Sequence, residues 1–144
     1  MSIEIREVAD DAELRLAFAL RKEVFTDEQG VPEDLDIDEH DATATQLVAL
    51  DEDGAIVATC RLVRDADAVK FGRLVVKATA RRRGIAGDML EEAERRARAE
   101  GAGRLVLSAQ TYAMPLYEAA GYVAHGDVYD DAGIEHIWME RPLA

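Results

Sequence analysis

A single cysteine, Cys60, is all the thiol in this chain. No disulfide can form within it, and the reducing cytoplasm is the expected compartment. Positive charge is also in short supply: 17 Lys and Arg stand against 30 Asp and Glu, for a formal net charge of −13. So acidic a surface repels a phosphate backbone, which argues against nucleic acid as a partner and leans toward a cationic one. No apolar run approaches the ~20 residues needed to cross a bilayer, so no membrane partner is expected. The opening stretch, MSIEIREVADD, has neither the basic nor the apolar region of a signal peptide. Repeats, low-complexity tracts and Pro/Gly/Ser linkers are missing too. Residues 1–144 are therefore expected to form a single soluble domain, long enough to bury a core without disulfide or metal staples.

What is present is patterned as an α/β mixture. SIEIREV, residues 2–8, alternates like a strand. Asp10 or Asp11 can cap a helix that carries Leu14, Ala17, Phe18, Arg21, Val24 and Phe25 at helical spacing. Gly30 and Pro32 end it, and EDLDIDEHDATAT follows as an acidic loop with room for a short helical turn. TQLVAL and AIVATCRLV flank the turn DEDG and read as a hairpin, with AVKFGRLVV as a further strand. Residues 85–99 form the clearest helix, with Ile85, Met89, Leu90, Ala93 and Ala97 on one stripe. Glu91–Arg95, Glu92–Arg96 and Glu94–Arg98 are spaced as ion pairs on its other face. A buried strand, RLVLSA, precedes a short helix in TYAMPLYEAAGY, where Pro115 fits only the first turn. The chain closes on a hairpin whose last strand is 134–140.

RRRGIAGDML, residues 81–90, lies between the strand RLVV and the helix at 85. Unpaired amide groups at a helix start, beside small residues and arginines, make an anion cradle. The lysine and Ser/Thr of a P-loop are missing, as is the spacing GxGxxG. A solvated basic turn explains the same residues equally well.

Two motifs together carry a resemblance. Arg81-x-x-Gly84-x-Ala86 resembles the Q/R-x-x-G-x-G/A signature of the GNAT N-acetyltransferases. QTYAMPLYEAAGY resembles that family's N-x-x-A-x-x-F/L-Y-E-x-x-G-F/Y segment through Ala113, Leu116, Tyr117, Glu118, Gly121 and Tyr122, with Gln110 where Asn is commoner. RKEVFTDEQGVPEDLDIDEHDATATQLVA, ATCRLV, FGRLVV and GIEHIWM extend the likeness to the ElaA-like branch. The resemblance implies the GNAT (acyl-CoA N-acyltransferase) fold, a mixed twisted β-sheet flanked by helices. It also implies transfer of an acetyl group from acetyl-CoA directly to an amine of a small molecule or peptide.

By the same resemblance, Arg81, Arg82, Arg83, Gly84, Ile85, Ala86 and Gly87 would hold the pyrophosphate of acetyl-CoA. Backbone groups of Leu74, Val75 and Val76 would pair with its pantetheine arm, and Gln110 would touch the cofactor. The cofactor would lie between two strands that part after Val76 and Leu107. Tyr117 matches the family's general acid, and a phenol, with a reference pKa near ~10, stays protonated at neutral pH. For the general base two residues stand open. Glu28 in DEQG is one, with a solvated helix-end glutamate as the other reading. His136 in GIEHIWM is the second, since an imidazole titrates near neutrality, with a structural histidine as its alternative. Arg61 and Arg73, among apolar neighbours, are expected to pair with carboxylates of EQG or DIDEHD or to face the acceptor.

Cys60 and Trp138 are expected in the core. No metal is expected: the alternating Asp34, Asp36 and Asp38 lack the glycine and the closing glutamate of a calcium loop. Dimers are common in the family, so a homodimer is an open expectation that no sequence feature locates. The competing reading is a non-catalytic acyl-CoA-binding sensor or partner module.

Overall fold

The computed structural model of the protein describes residues 2–143. The first strand, β1 (Glu4–Glu7), is shorter than the alternation predicts, although the Val8 amide still donates to the Gln46 carbonyl at 3.0 Å. Helix α1 (Asp11–Arg21) starts where expected: the Asp10 carboxylate accepts from the Glu13 amide at 2.8 Å, while Glu13 reaches back to the Ala9 amide at 2.9 Å. The helix continues as a π-helical segment, Lys22–Glu28, before Gly30 turns the chain in a left-handed conformation (φ +77°). Short helix α2 (Glu33–Asp36) and a 3-10 turn (Glu39–Ala42) occupy the acidic loop. Then follow β2 (Thr45–Leu50), β3 (Ile56–Asp65), β4 (Ala68–Val76), α3 (Ile85–Ala99), β5 (Arg104–Gln110), α4 (Met114–Ala119), β6 (Val123–Asp131) and β7 (Ile134–Pro142).

The strands form one sheet in the order β1-β2-β3-β4-β5-β7-β6, antiparallel except where β4 meets β5. This mixed sheet flanked by helices is the architecture the sequence predicts. Pleating divides β2 between two cores: Leu47 and Ala49 join the cluster of α3, while Val48 and Leu50 join that of α1. On α3 the predicted stripe, Ile85, Met89, Leu90, Ala93 and Ala97, is buried. Each of its larger side chains contributes about 1.5–3 kcal/mol through burial. The helix ends in a Schellman turn: the Ala102 amide reaches the Ala97 carbonyl and Gly101 sits at φ +77°. Of the predicted surface pairs, Glu92–Arg96 forms at 2.8 Å and Glu94–Arg98 at 4.0 Å, although Glu94 is buried and bonds Tyr122 and Arg141 more closely. Arg95 turns to Glu92 at 2.6 Å instead of to Glu91. No helix among the described residues is long and apolar enough to cross a membrane.

A buried ion network pins the acidic segment to the sheet. Arg21, expected simply as one position on the helical stripe, is wholly buried. It bonds Asp41 through both terminal nitrogens (2.7 and 3.2 Å), and the Asp36 carbonyl at 2.8 Å. Its guanidinium also lies 5.0 Å from the Phe18 ring centroid. Arg61 grips Asp38 with two bonds (2.6 and 2.9 Å) and lies 3.1 Å from Asp41. Gln46 donates to the Asp41 carboxylate at 3.1 Å. Burial alone would raise the Asp41 carboxyl, but Arg21 and the Asp38 amide hold it well below the usual carboxylate range.

Removing Arg21 takes the closest cation from two buried carboxylates, leaving Asp41 to Arg61 and Gln46 and Asp36 to Arg73, so Arg21→Met is expected to cost about 3 kcal/mol in urea unfolding at neutral pH. The depressed Asp41 carboxyl stabilises the fold fully above its unfolded value near ~4 and loses that contribution progressively as pH falls from there toward its much lower folded value. Wild-type stability should therefore drop in acid, and that of Arg21→Met should depend less on pH there.

Candidate active site

Strands β4 and β5 pair only from Ala68–Phe71 against Arg104–Leu107 and then part. On β5 the parting falls at Leu107, as predicted. On β4 it comes at Phe71, earlier than the expected Val76. The reason is a bulge: Thr59 faces Val75 and Arg61 faces Gly72, so Arg73 and Leu74 together oppose the single residue Cys60. Arg73 adopts a left-handed backbone (φ +54°), and the kink turns β4 away from its neighbour. The gap opens into a cleft of about 970 Å³. Its walls come from the π-helical turn, α2, β4, α4 and the β6–β7 hairpin.

At one end of the cleft lies the turn before α3. Gly84 caps the helix at φ +78°, with no side chain bonding the first turn. The amides of Ile85, Ala86 and Gly87 precede the first intrahelical bond, Asp88 to the Gly84 carbonyl at 3.0 Å. Ile85 contributes only its backbone here, because its side chain is buried in the core. Arg82 and Arg83 are exposed around the turn. Arg81 reaches the other way: Nε donates to the Val76 carbonyl at 2.9 Å, and both terminal nitrogens grip Glu28 at 2.6 and 2.7 Å. Two residues expected to act separately, at the phosphates and at the amine, thus face each other. The Arg81 guanidinium holds the Glu28 carboxyl below its usual range.

Leu74, Val75 and Val76 line the cleft from β4, with the Val75 side chain buried. Tyr117 lines it from α4 and packs edge-on against Tyr122, with ring centroids 6.2 Å apart. Burial, with a smaller contribution from Tyr112, pushes the Tyr117 phenol up to about 12. Gln110 donates to the Gln29 side chain at 3.0 Å. In β7, opposite Gln110, stands His136, whose Nδ1 lies 2.8 Å from the Ile134 carbonyl. A carbonyl can only accept, so Nδ1 carries the proton and Nε2 of the neutral ring keeps its lone pair.

Trp138 departs from its expected place in the core. It is 37 % exposed, lines the cleft and stacks on Tyr129 at 6.1 Å. Its position alternates outward on β7 from buried Ile137 and Met139. Cys60 is buried as expected, and burial pushes its thiol well up. Arg61 and Arg73 pair with the DIDEHD segment as expected, and both line the cleft. Sequence reasoning passed over Ser108 and Tyr129, whose hydroxyls bond each other beside His136, and Gln29. Ser108 had a signal, a hydroxyl within the apolar run of RLVLSA; Tyr129 and Gln29 had none. Among the described residues no group of three or more His, Cys, Asp or Glu could hold a metal.

The acetyltransferase (GNAT) domain family matches residues 6–143. The uncharacterized N-acetyltransferase YjcF of Bacillus subtilis is 34 % identical over 133 residues, covering 92 % of this chain and 94 % of that protein. In fold, the chain is similar to Escherichia coli ElaA (TM-score 0.86, 24 % identity, 97 % and 99 % of the two chains). A phosphinothricin acetyltransferase of Sinorhizobium meliloti, solved in complex with acetyl-CoA, shares the fold at TM-score 0.76 (22 % identity, 99 % and 89 % covered).

The turn's two glycines should answer substitution with opposite signs. Gly87 lies within the helix with open space where a methyl group would stand, so Gly87→Ala should stabilise by about 0.5–1 kcal/mol. Gly84→Ala, at φ +78°, should destabilise by about 1–2 kcal/mol. Thermal unfolding of the two variants reads both signs.

Proposed function

The chain belongs to the GNAT acetyltransferase family, and from that premise we propose that it transfers an acetyl group from acetyl-CoA directly to an amine. The observation that carries this reading is the parting of β4 from β5 beside an uncapped helix N-terminus. Those residues fit the cofactor. The amides of Ile85, Ala86 and Gly87 would face an anion at the positive end of the α3 dipole, with Arg82 and Arg83 exposed around them, whereas Arg81, expected at the phosphates, is turned to Glu28. The edge of β4 at Leu74, Val75 and Val76 offers main-chain groups to an extended arm in the manner of an added strand. Gln110 borders the same channel. When bound, the cofactor supplies the acetyl group as a thioester.

The chain's own groups then have distinct tasks. Nε2 of His136 takes a proton from the acceptor's ammonium, so that a neutral amine attacks. A backbone amide near Val76 donates to the carbonyl oxygen as negative charge gathers there. The Tyr117 hydroxyl gives its proton to the departing thiolate. Its raised pKa, about 12, keeps it protonated across the working range. Glu28 suits the base role less well than His136, because Arg81 occupies both its oxygens and depresses its pKa. We assign it to positioning Arg81. That same pairing is the one observation favouring the alternative, a non-catalytic acyl-CoA-binding module.

Thiol release from acetyl-CoA with a panel of amines separates the two readings, since a binding module gives none above background. Tyr117→Phe and His136→Gln should each lower kcat by about 10²–10⁴-fold while leaving CoA binding in place. In the wild type, no alkaline loss of kcat from the phenol is expected up to about pH 10. Gly87→Asp should fold normally yet weaken CoA binding by about tenfold or more, because it sets a carboxylate where the phosphates would lie.

A further inference from the structure

The net charge of the chain points to a cationic acceptor, but the cleft has a different balance. Among its lining side chains, Arg61, Arg64, Lys70, Arg73 and Arg81 are cationic and Glu28, Asp36, Asp65 and Asp131 anionic. Three of those acids are already engaged. Glu28 faces Arg81 at 2.6 Å, Asp65 faces Lys70 at 3.3 Å, and Asp36 lies buried against Arg21 at 3.2 Å. The cleft thus offers little carboxylate to recognise a second ammonium.

Arg73 stands out among the cations. It occupies the left-handed position of the β4 bulge, a conformation an arginine seldom adopts, and the bulge aims its side chain away from the sheet's pairing. Its Nε donates to the Asp36 carbonyl at 2.9 Å. Nη2 reaches the Leu35 carbonyl at 3.4 Å and Asp38 at 3.3 Å. Nη1 has no hydrogen bond among the described residues. Tethering α2 would need only the first two nitrogens. Burial lowers the Arg73 pKa, with Arg61 and Arg21 adding to the shift and Asp38 and Asp36 opposing it. A carboxylate at Nη1 would give that nitrogen the acceptor it lacks.

We propose that Arg73 binds a carboxylate of the acceptor through its unengaged terminal nitrogen, so that the amine acetylated is that of an amino acid or a similar carboxylate-bearing amine. The proposal rests on the acetyltransferase reading above. The reaction is unchanged by it: a C–N bond forms and the C–S bond breaks, the ammonium proton leaves through the base, and the second amine proton, lost after attack, balances the one that Tyr117 gives to the thiolate. Arg73 contributes affinity and orientation for the acceptor.

The test is thiol release with free L-amino acids of varied side chain, each set against its own carboxamide, with diamines as a third arm. The wild type is expected to favour the free acid over the amide by about tenfold or more in kcat/KM, through KM. Arg73→Gln should erase that preference and Arg73→Lys should restore part of it, with thermal unfolding confirming that each variant folds. Should Arg73→Gln not fold, the wild type still decides: the amine-free carboxylic acid of a good acceptor should compete with that acceptor, and its amide should not. Amides or diamines used as well as free acids, or a preference that survives Arg73→Gln, would overturn the proposal alone. Absence of thiol release above background with every amine tried, despite CoA binding, would sink both this proposal and the acetyltransferase reading.

Discussion

Parallel pairing between β4 and β5 stops at Phe71 and Leu107, and the rest of the site follows from that stop. Beyond it, the edge of β4 has lost its neighbour within the sheet. Backbone amides and carbonyls are obligatory hydrogen-bonding groups, so such an edge must meet either water or a ligand that can pair with it. The bulge that causes the parting makes this one event rather than two. An additional residue on β4 turns the strand away from β5 and, in the same turn, delivers Arg73 into the space created. The sheet's defect and the side chain that characterises the cleft have a single origin.

The far wall is held by charge as well as by apolar contact. Helix α2 has four residues, too few to be stable alone, and the exposed Leu35 and Ile37 give this segment little apolar anchorage. Arg21, Arg61 and Arg73 fix it instead, each meeting a backbone or carboxylate oxygen of Asp36, Asp38 or Asp41. Such an arrangement is demanding, because a buried charge without its partner costs far more than a lost surface pair. It also explains how a strongly acidic chain comes to have a cleft lined by cations. Several aspartates are spent inward, neutralising the arginines that hold the wall.

Much of the fold was legible because it is local. The stripe from Ile85 to Ala97 and the turn DEDG each state their structure within a few residues, as does Asp10 ahead of α1. The cradle was legible for the same reason, since Gly84 and the small residues after it sit together in sequence. What escaped depends on distant partners. Nothing near Arg21 announces Asp41, and nothing near Arg81 announces Glu28 across the cleft. Trp138 was misplaced because its side of β7 looks toward the cleft and Tyr129 rather than toward α3. The early parting of β4 was hidden likewise: a bulge is a mismatch between two strands, and AVKFGRLVV alone cannot show it.

Cys60 sits on β3 opposite that bulge, sealed inside the sheet with its thiol pushed well above the range in which it would ionise. For the reaction we propose, whose second product is itself a thiol, this has a practical side. The protein's sole sulfhydryl is silent toward disulfide dyes and alkylating agents as long as the fold holds. Sulfhydryl colour developed with the native protein therefore reports product alone, and a sudden extra equivalent of one thiol per chain would register unfolding instead.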